Sequence, residues 1–178
     1  MKMNVPNTLT IIRVLLIPFF VAFMLCNITA YDNYIALAIF IVASLTDTLD
    51  GYLARKNNQV TNFGKFMDPL ADKLLVCSAL ICLLSNGMIS TVVVLIIIAR
   101  EFIISGFRLV AVDNGIVIAA SWWGKAKTIS QMIMIILLIA SFIFNVLETA
   151  FVYIATVLTV ISLVDYIWKN RAVLNEQK

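Results

Sequence analysis

The 178-residue sequence contains no histidine. This absence excludes histidine-based acid–base catalysis, Ser-His-Asp and Cys-His nucleophilic catalysis, and zinc sites with histidine ligands. Any chemistry must therefore use carboxylates, cationic side chains and hydroxyl groups. Cysteine is also scarce, and Cys26, Cys77 and Cys82 lie in apolar runs without forming a Cys-x-x-Cys pair. We expect these thiols to pack as ordinary apolar residues and to form no disulfide framework.

Charge is scarce as well, since only 13% of the residues are charged whereas 62% are hydrophobic. A soluble domain is nearer half apolar and a quarter charged. The composition therefore predicts an integral membrane protein, and the length favours a single domain over residues 1–178. A cleaved secretory signal is not expected, because no small-residue cleavage site follows the first apolar run.

Six segments are apolar enough for transmembrane helices, which need roughly 20 residues each. They cover approximately residues 8–30, 34–54, 69–86, 89–112, 125–145 and 149–168. The connections at 31–33, 87–88 and 146–148 contain no lysine or arginine. The positive-inside rule then places both termini and the 55–68 loop in the cytoplasm. The predicted fold is all-α, a polytopic bundle of six transmembrane helices, with Trp122 and Trp123 in an interfacial aromatic belt.

Four aspartates interrupt this apolar pattern within one short stretch. Asp47 and Asp50 end the second segment, and Asp68 and Asp72 begin the third, so each pair shares one helix face. Four like charges repel, and a charge at bilayer depth costs at least about 2.5–3.5 kcal/mol. Hard divalent cations would offset both costs, and an all-oxygen ligand set suits magnesium, manganese or calcium. Four carboxylates suffice for two such ions.

Simpler interpretations exist for several of these positions. Asp68 precedes Pro69, and Asp-Pro commonly starts a helix, so Asp68 alone is explained by its place at a helix end. Gly51 and Ala54 permit close approach of a nucleotide or, alternatively, of a neighbouring helix. Gly64 is expected in the 55–68 loop, in a turn whose N–H groups face a phosphate.

The aspartates belong to a longer pattern that runs from Asp47 to Asp72. It reads D-x-x-D-G-x-x-A-R, eight residues, G, three residues, D, three residues, D. This pattern resembles the signature of the CDP-alcohol phosphatidyltransferases, a family of six-helix membrane enzymes. Outside it, the segments VPNTLTIIRVLLIPFF, AREFIISGFRLVA and ASWWGKAKTISQM resemble one branch of that family, the phosphatidylglycerophosphate synthases.

The resemblance implies that CDP-diacylglycerol loses CMP while its phosphatidyl group passes to sn-glycerol 3-phosphate. It implies two divalent cations, Mg²⁺ or Mn²⁺, bound by Asp47, Asp50, Asp68 and Asp72, and an in-line displacement. Asp72 is in addition the expected general base, although a metal-acidified hydroxyl would leave it only a ligand. The resemblance also implies a homodimer in the cell membrane with its active site facing the cytoplasm. No feature indicates a nucleic-acid partner.

The residues expected to bind the donor lie on the first helix and in the signature. Asn7, Thr10 and Arg13 are spaced by three and share one helix face, which the resemblance sets against the CDP group. The alternative for this face is helix capping plus a snorkelling Arg13. The full set of candidate CDP-diacylglycerol ligands is Asn7, Thr10, Gly51, Ala54, Arg55, Thr61 and Gly64.

Cations indicate an acceptor that carries a phosphate. Arg100 lies about half a span from the expected cytoplasmic end, and an intramembrane arginine suggests function. Arg108 follows on nearly the same face, and Lys125 and Lys127 enter the fifth segment. With Arg13, these four are the candidate acceptor-phosphate ligands; plain interfacial anchoring is the alternative for the last three. Glu101 points about 100° away from Arg100, so it is not automatically its partner.

Two other functions fit parts of the sequence. A different acceptor, such as inositol phosphate, or phosphatidylglycerol for cardiolipin, fits the same signature, whereas the cationic cluster disfavours serine. An ion or proton transporter would also use intramembrane carboxylates. Transporters usually show inverted repeats and helices broken at the midplane, and neither is found in this sequence.

Overall fold

The computed structural model describes residues 5–56, 62–113, 115–116, 118–119, 121–140 and 145–171. Of residues 5, 6, 47–56, 62, 63, 65, 66, 113 and 145 it describes the backbone alone. In this part of the chain the backbone forms six helices. They are α1 (Val5–Leu25), α2 (Asp32–Lys56), α3 (Asn62–Ser85), α4 (Thr91–Asp113), α5 (Trp122–Ala140) and α6 (Asn145–Lys169). The all-α prediction is confirmed.

The chain divides into two compact units, Met1–Met88 with α1 to α3 and Ile89–Lys178 with α4 to α6. In the first unit α1 packs against both α2 and α3. Ala36, Phe40 and Ala43 recur at helical spacing along the buried face of α2. The ring of Phe40 lies 6.0 Å from that of Phe20 on α1. Two small alanines flank the single large Phe40 on this face of α2, which lets the two helices approach closely.

In the second unit α6 packs against both α4 and α5. One buried cluster joins α4 to α6 through Ile104, Phe107, Ala111 and Tyr166. The rings of Phe107 and Tyr166 meet edge to face, with centroids 5.7 Å apart and planes at 83°. This geometry is favourable for aromatic pairs. It fixes the contact between α4 and α6 at the end of α4.

Two helices end in the same glycine motif. Gly87 follows α3 with φ of +71° and Gly115 follows α4 with φ of +72°, a region that residues with a Cβ rarely adopt. Met88 N–H donates to the carbonyl of Leu83, and the corresponding bond follows α4. These are Schellman C-caps, which satisfy carbonyls left unpaired at a helix end.

The prediction for the start of the third helix is wrong. Helix α3 begins at Asn62, so Pro69 lies inside it rather than at its first turn. Residues 62–67 (NFGKFM) are helical and extend α3 toward its amino end, although Asn62 and Gly64 have low helix propensity. Pro69 lacks an N–H, so it leaves one backbone hydrogen bond of the helix unmade. Gly64 is accordingly a buried helical residue and not a turn in a loop.

The exterior of each unit is apolar. Phe19 is 60% exposed in the first unit and Tyr153 is 68% exposed in the second, among many other large apolar side chains. Among the described residues, three helices are long and apolar enough to cross a membrane: Asn7–Leu25, Trp122–Ala140 and Val146–Lys169. Apolar surfaces on this scale are typical of proteins surrounded by lipid. The first span is shorter than predicted, since α1 ends at Leu25.

Candidate functional site

One face of α1 carries three buried polar side chains. Asn7, Thr10 and Arg13 are each at most 1% exposed. Their spacing of three residues sets them on the side of α1 that packs against α2 and α3. The snorkelling alternative for Arg13 is wrong, because a snorkelling guanidinium would reach the surface. The three side chains instead belong to the interior of the first unit.

Thr10 connects this face to the signature. Its Oγ1 donates a hydrogen bond of 2.6 Å to Oδ1 of Asp68, 58 residues away on α3. A hydroxyl that donates to a carboxylate makes a short, charge-assisted bond and fixes the orientation of the acceptor. Asp72 lies one turn further along α3, and both aspartates are half-buried. Thr10, predicted to bind the donor nucleotide, therefore contacts a predicted metal ligand.

Arg13 contacts the backbone of α2. Its Nε donates to the carbonyl of Ala43 at 3.2 Å, and the hydroxyl of Thr46 donates to the same carbonyl at 2.7 Å. A guanidinium that bonds to a carbonyl inside the unit ties α1 to α2. Its predicted role at the acceptor phosphate stays a prediction.

The signature aspartates of α2 lie on a continuous helix that extends to Lys56 and packs against α3. That packing is the arrangement a shared site requires. Five predicted site residues on α2 have side chains outside the described part, namely Asp47, Asp50, Gly51, Ala54 and Arg55, and Thr61 lies wholly outside it. Among the described side chains there is no group of three potential metal ligands. The described side chains do not include those of Asp47 and Asp50, which are two of the four aspartates. The four-carboxylate centre therefore stays a prediction.

The second unit contains a buried cluster of ionic groups. Arg100 on α4 is 8% exposed and Lys127 on α5 is 2% exposed. Nη1 of Arg100 donates to Oε1 of Glu101 at 3.1 Å, and Nζ of Lys127 donates to the same oxygen. Glu101 is thus a partner of Arg100 although the two are consecutive. A buried cation is costly without a counter-charge, which explains why both long side chains converge on the carboxylate of Glu101.

The first turn of α5 lies beside this cluster. Ser121 caps the helix by accepting a hydrogen bond of 3.1 Å from the backbone N–H of Gly124. A Cβ at Gly124 would lie 3.5 Å from Nη2 of Arg100 and 3.8 Å from Oγ of Ser162. Glycine therefore leaves space at the guanidinium that any other residue would occupy.

Arg100 retains an unused donor. Its Nε is buried and has no hydrogen-bond partner within the described ranges. Buried N–H groups are nearly always paired, so this unpaired one is a candidate donor to an external acceptor atom. An anion fits, because the group is cationic and the helix end nearby is positive.

Two of the predicted acceptor residues lie apart from this cluster. Arg108 is exposed, and its Cζ lies 5.8 Å from the ring centroid of Tyr166 in a cation–π contact. Lys125 is exposed on the first turn of α5. The structure thus brings Arg100 and Lys127 together and leaves Arg108 and Lys125 at the surface of the described unit.

Comparison with known proteins identifies the family. The sequence model of the CDP-alcohol phosphatidyltransferases matches residues 3–161. The chain belongs to this family. It is 43% identical to the CDP-diacylglycerol–glycerol-3-phosphate 3-phosphatidyltransferase of Bacillus subtilis (strain 168), with 94% of this chain and 95% of the relative covered. The enzymes of the same name from Haemophilus influenzae and Escherichia coli (strain K12) are 42% and 38% identical, over 94% and 99% of this chain. They are covered over 93% and 100% of their own lengths.

Membership of the CDP-alcohol phosphatidyltransferases confirms the resemblance found in the signature and favours an enzyme over a transporter. The signature does not account for two residues that contact Arg100, namely Glu101 and Ser162, whose Oγ accepts a hydrogen bond from Nη2 of Arg100. Glu101 was passed over because consecutive helical residues point about 100° apart. Ser162 was missed, and the only trace of it is that Thr159 and Ser162, three apart, put hydroxyls on one face of an apolar helix.

Proposed function

We propose that this protein transfers the phosphatidyl group of CDP-diacylglycerol to sn-glycerol 3-phosphate, releasing CMP and phosphatidylglycerophosphate. The observation that carries the proposal is the likeness, over 94% or more of the chain, to three bacterial relatives named for that reaction. The buried Arg100–Lys127 pair supports it, because it suits an acceptor that bears a phosphate. The reaction belongs to phospholipid biosynthesis.

The donor is proposed to bind in the first unit. Asp47, Asp50, Asp68 and Asp72 would hold two divalent cations, Mg²⁺ or Mn²⁺, which when bound neutralise the diphosphate and align the attacking and leaving oxygens. Two observations support the fit: Asp68 and Asp72 are half-buried one turn apart, and all the donors are hard oxygens. Thr10 holds Asp68 in a fixed orientation.

Proton transfer is assigned to Asp72. Its carboxylate takes the proton of the attacking acceptor hydroxyl. This role requires the hydroxyl to bind within hydrogen-bond reach of Asp72. The remaining candidate ligands for CDP-diacylglycerol are those of the first helix and the signature: Asn7, Thr10, Gly51, Ala54, Arg55, Thr61 and Gly64.

The acceptor phosphate is proposed to bind in the second unit. Arg100 offers a planar set of donors and Lys127 a compact charge, the two cation types that recognise phosphate in complementary ways. Their burial strengthens the attraction, because the local dielectric is lower than that of water. Arg13, Arg108 and Lys125 are retained as further candidates for this phosphate.

We further propose that all six helices cross the cell membrane, with both termini and the active site on the cytoplasmic side. The exposed apolar side chains of both units support a lipid environment. The lysines and arginines lie in the termini, in the 55–68 connection, or in the spans that lead to the termini and to the 55–68 and 113–124 connections, and this placement supports the orientation. A homodimer is proposed from the family resemblance.

An acceptor panel tests the proposal. Purified protein is incubated with CDP-diacylglycerol, Mg²⁺ or Mn²⁺, and in turn sn-glycerol 3-phosphate, serine, inositol phosphate or phosphatidylglycerol, and CMP release is measured. We expect release with glycerol 3-phosphate, and its loss when EDTA removes the metal. Release with another acceptor but not with glycerol 3-phosphate would overturn the acceptor assignment while leaving the family chemistry intact.

A further inference from the structure

Helix α6 contributes one side chain to the cationic cluster. Oγ of Ser162 accepts a hydrogen bond of 2.6 Å from Nη2 of Arg100, 62 residues away on α4. Ser162 is fully buried in a helix whose other residues nearby are mostly apolar. The match to the family model ends at residue 161, directly before Ser162. The family pattern therefore assigns this residue no role.

The guanidinium of Arg100 is held from two sides. Nη1 donates to Glu101 on its own helix, and Nη2 donates to Ser162 on α6. The third nitrogen, Nε, is the one without a partner among the described residues. A planar group anchored at two of its three nitrogens cannot rotate freely. The direction of the Nε–H is thereby fixed, toward a point at which no described residue supplies an acceptor.

We propose that Ser162 is a positioning residue for the acceptor. By holding Nη2, its hydroxyl keeps the Nε edge of Arg100 aimed at the phosphate of the acceptor. This inference rests on the proposed function, because it takes the anion at Arg100 to be the acceptor phosphate. Ser162 itself does not touch the substrate. It acts by holding Arg100 in one conformation before the phosphate binds, so that less conformational freedom is lost on binding.

The physical consequence is an effect on binding rather than on chemistry. Preorganising a ligand-binding side chain raises affinity because less ordering remains to be done on binding. A contact made equally in the ground state and the transition state changes KM and leaves kcat unchanged. The phosphate of the acceptor is remote from the reacting hydroxyl, so its contacts are of this kind. The donor site should not respond to Ser162 at all.

The test compares Ser162→Ala with Thr159→Val in the full-length protein. Thr159 is an apt control, since it is fully buried one turn earlier on α6 and its hydroxyl bonds only to the carbonyl of Ala155 in its own helix. For Ser162→Ala we expect KM for glycerol 3-phosphate to rise about tenfold, equivalent to about 1.4 kcal/mol. We expect kcat and KM for CDP-diacylglycerol to stay within about twofold. Thr159→Val should leave all three constants unchanged.

Two further variants separate positioning from packing. Ser162→Thr keeps the hydroxyl and should restore most of the acceptor affinity. In an Arg100→Lys background, Ser162→Ala should add little, because the group that it positions is gone and coupled residues are not additive. An unchanged KM in Ser162→Ala would overturn the inference, as would a parallel fall in kcat, donor affinity and thermal stability. If wild-type protein uses an acceptor other than glycerol 3-phosphate, the proposed function fails first, before any variant is compared.

Discussion

The hydroxyl of Thr10 on α1 lies 2.6 Å from the carboxylate of Asp68 on α3 and donates a hydrogen bond to it. The bond joins the first helix of the chain to the signature that identifies the family. Thr10 is fully buried, whereas Asp68 is half-buried. Asp68 is therefore oriented by a residue that lies outside the signature.

Replacing Thr10 by valine should remove this orientation while keeping the side-chain shape. We expect the Mg²⁺ concentration for half-maximal CMP release to rise about tenfold, because a hydrogen bond to a charged group contributes about 1.5–3 kcal/mol. Thr10→Ser keeps the hydroxyl and should stay near wild type. The measurement is a metal titration of activity, accompanied by thermal unfolding of each variant. A Thr10→Val protein with wild-type metal dependence would show that Asp68 needs no such support.

Asp47→Asn and Asp72→Asn should each abolish turnover, by more than about a thousandfold if the carboxylates are metal ligands or the base. The matched control is Asp165→Asn on α6. Asp165, whose side chain is 17% exposed, pairs at 2.7 Å with Lys169, which is 62% exposed, and an ion pair that reaches solvent on one side contributes little. CMP release from all three purified variants decides the matter. Wild-type rates in both signature variants would refute the catalytic assignment.

Arg100→Ala should impair use of the acceptor more than binding of the donor. Removing one partner of a buried charged contact costs about 2–5 kcal/mol, so KM for glycerol 3-phosphate should rise at least about thirtyfold. The KM of Arg100→Lys for glycerol 3-phosphate should lie between those of the wild type and Arg100→Ala, because a lysine keeps the charge but lacks the planar donor set. Arg108→Ala is the control, as Arg108 is exposed against Tyr166. An equal effect of both alanine variants would place Arg108 at the acceptor as well.

Gly124→Ala tests the space beside Arg100. The added methyl meets Nη2 of Arg100 at 3.5 Å, which is an ordinary contact. The variant should therefore fold, with the methyl group filling the space beside the guanidinium. We expect KM for glycerol 3-phosphate to rise severalfold. Gly106→Ala on α4 is the control, since a Cβ there meets nothing within 4 Å. Both changes favour the helix by up to about 1 kcal/mol, so thermal stability should not fall in either. Unaltered acceptor kinetics in Gly124→Ala would mean that the phosphate does not approach this turn.

The helices themselves were largely predictable, and their ends were not. The apolar runs predict six helices because each run is long enough and lacks charges over most of its length. The start of α3 was predicted about seven residues too late, as Asp68-Pro69 matches a helix-start pattern. The helix nevertheless continues through this position, although Pro69 removes one backbone hydrogen bond and crowds the preceding turn.

By itself, the sequence determined the class of protein and its chemistry. Composition requires a lipid environment, and the pattern of aspartates, glycines, alanine and arginine from Asp47 to Asp72 resembles the signature of the CDP-alcohol phosphatidyltransferases. Periodicity states which of these residues share a helix face. Only the tertiary structure decided which faces meet. Thr10 finds Asp68 across 58 residues and Arg100 finds Ser162 across 62, through the packing of separate helices. Spacing along one helix carries no information on such pairs, since they depend on how whole helices dock.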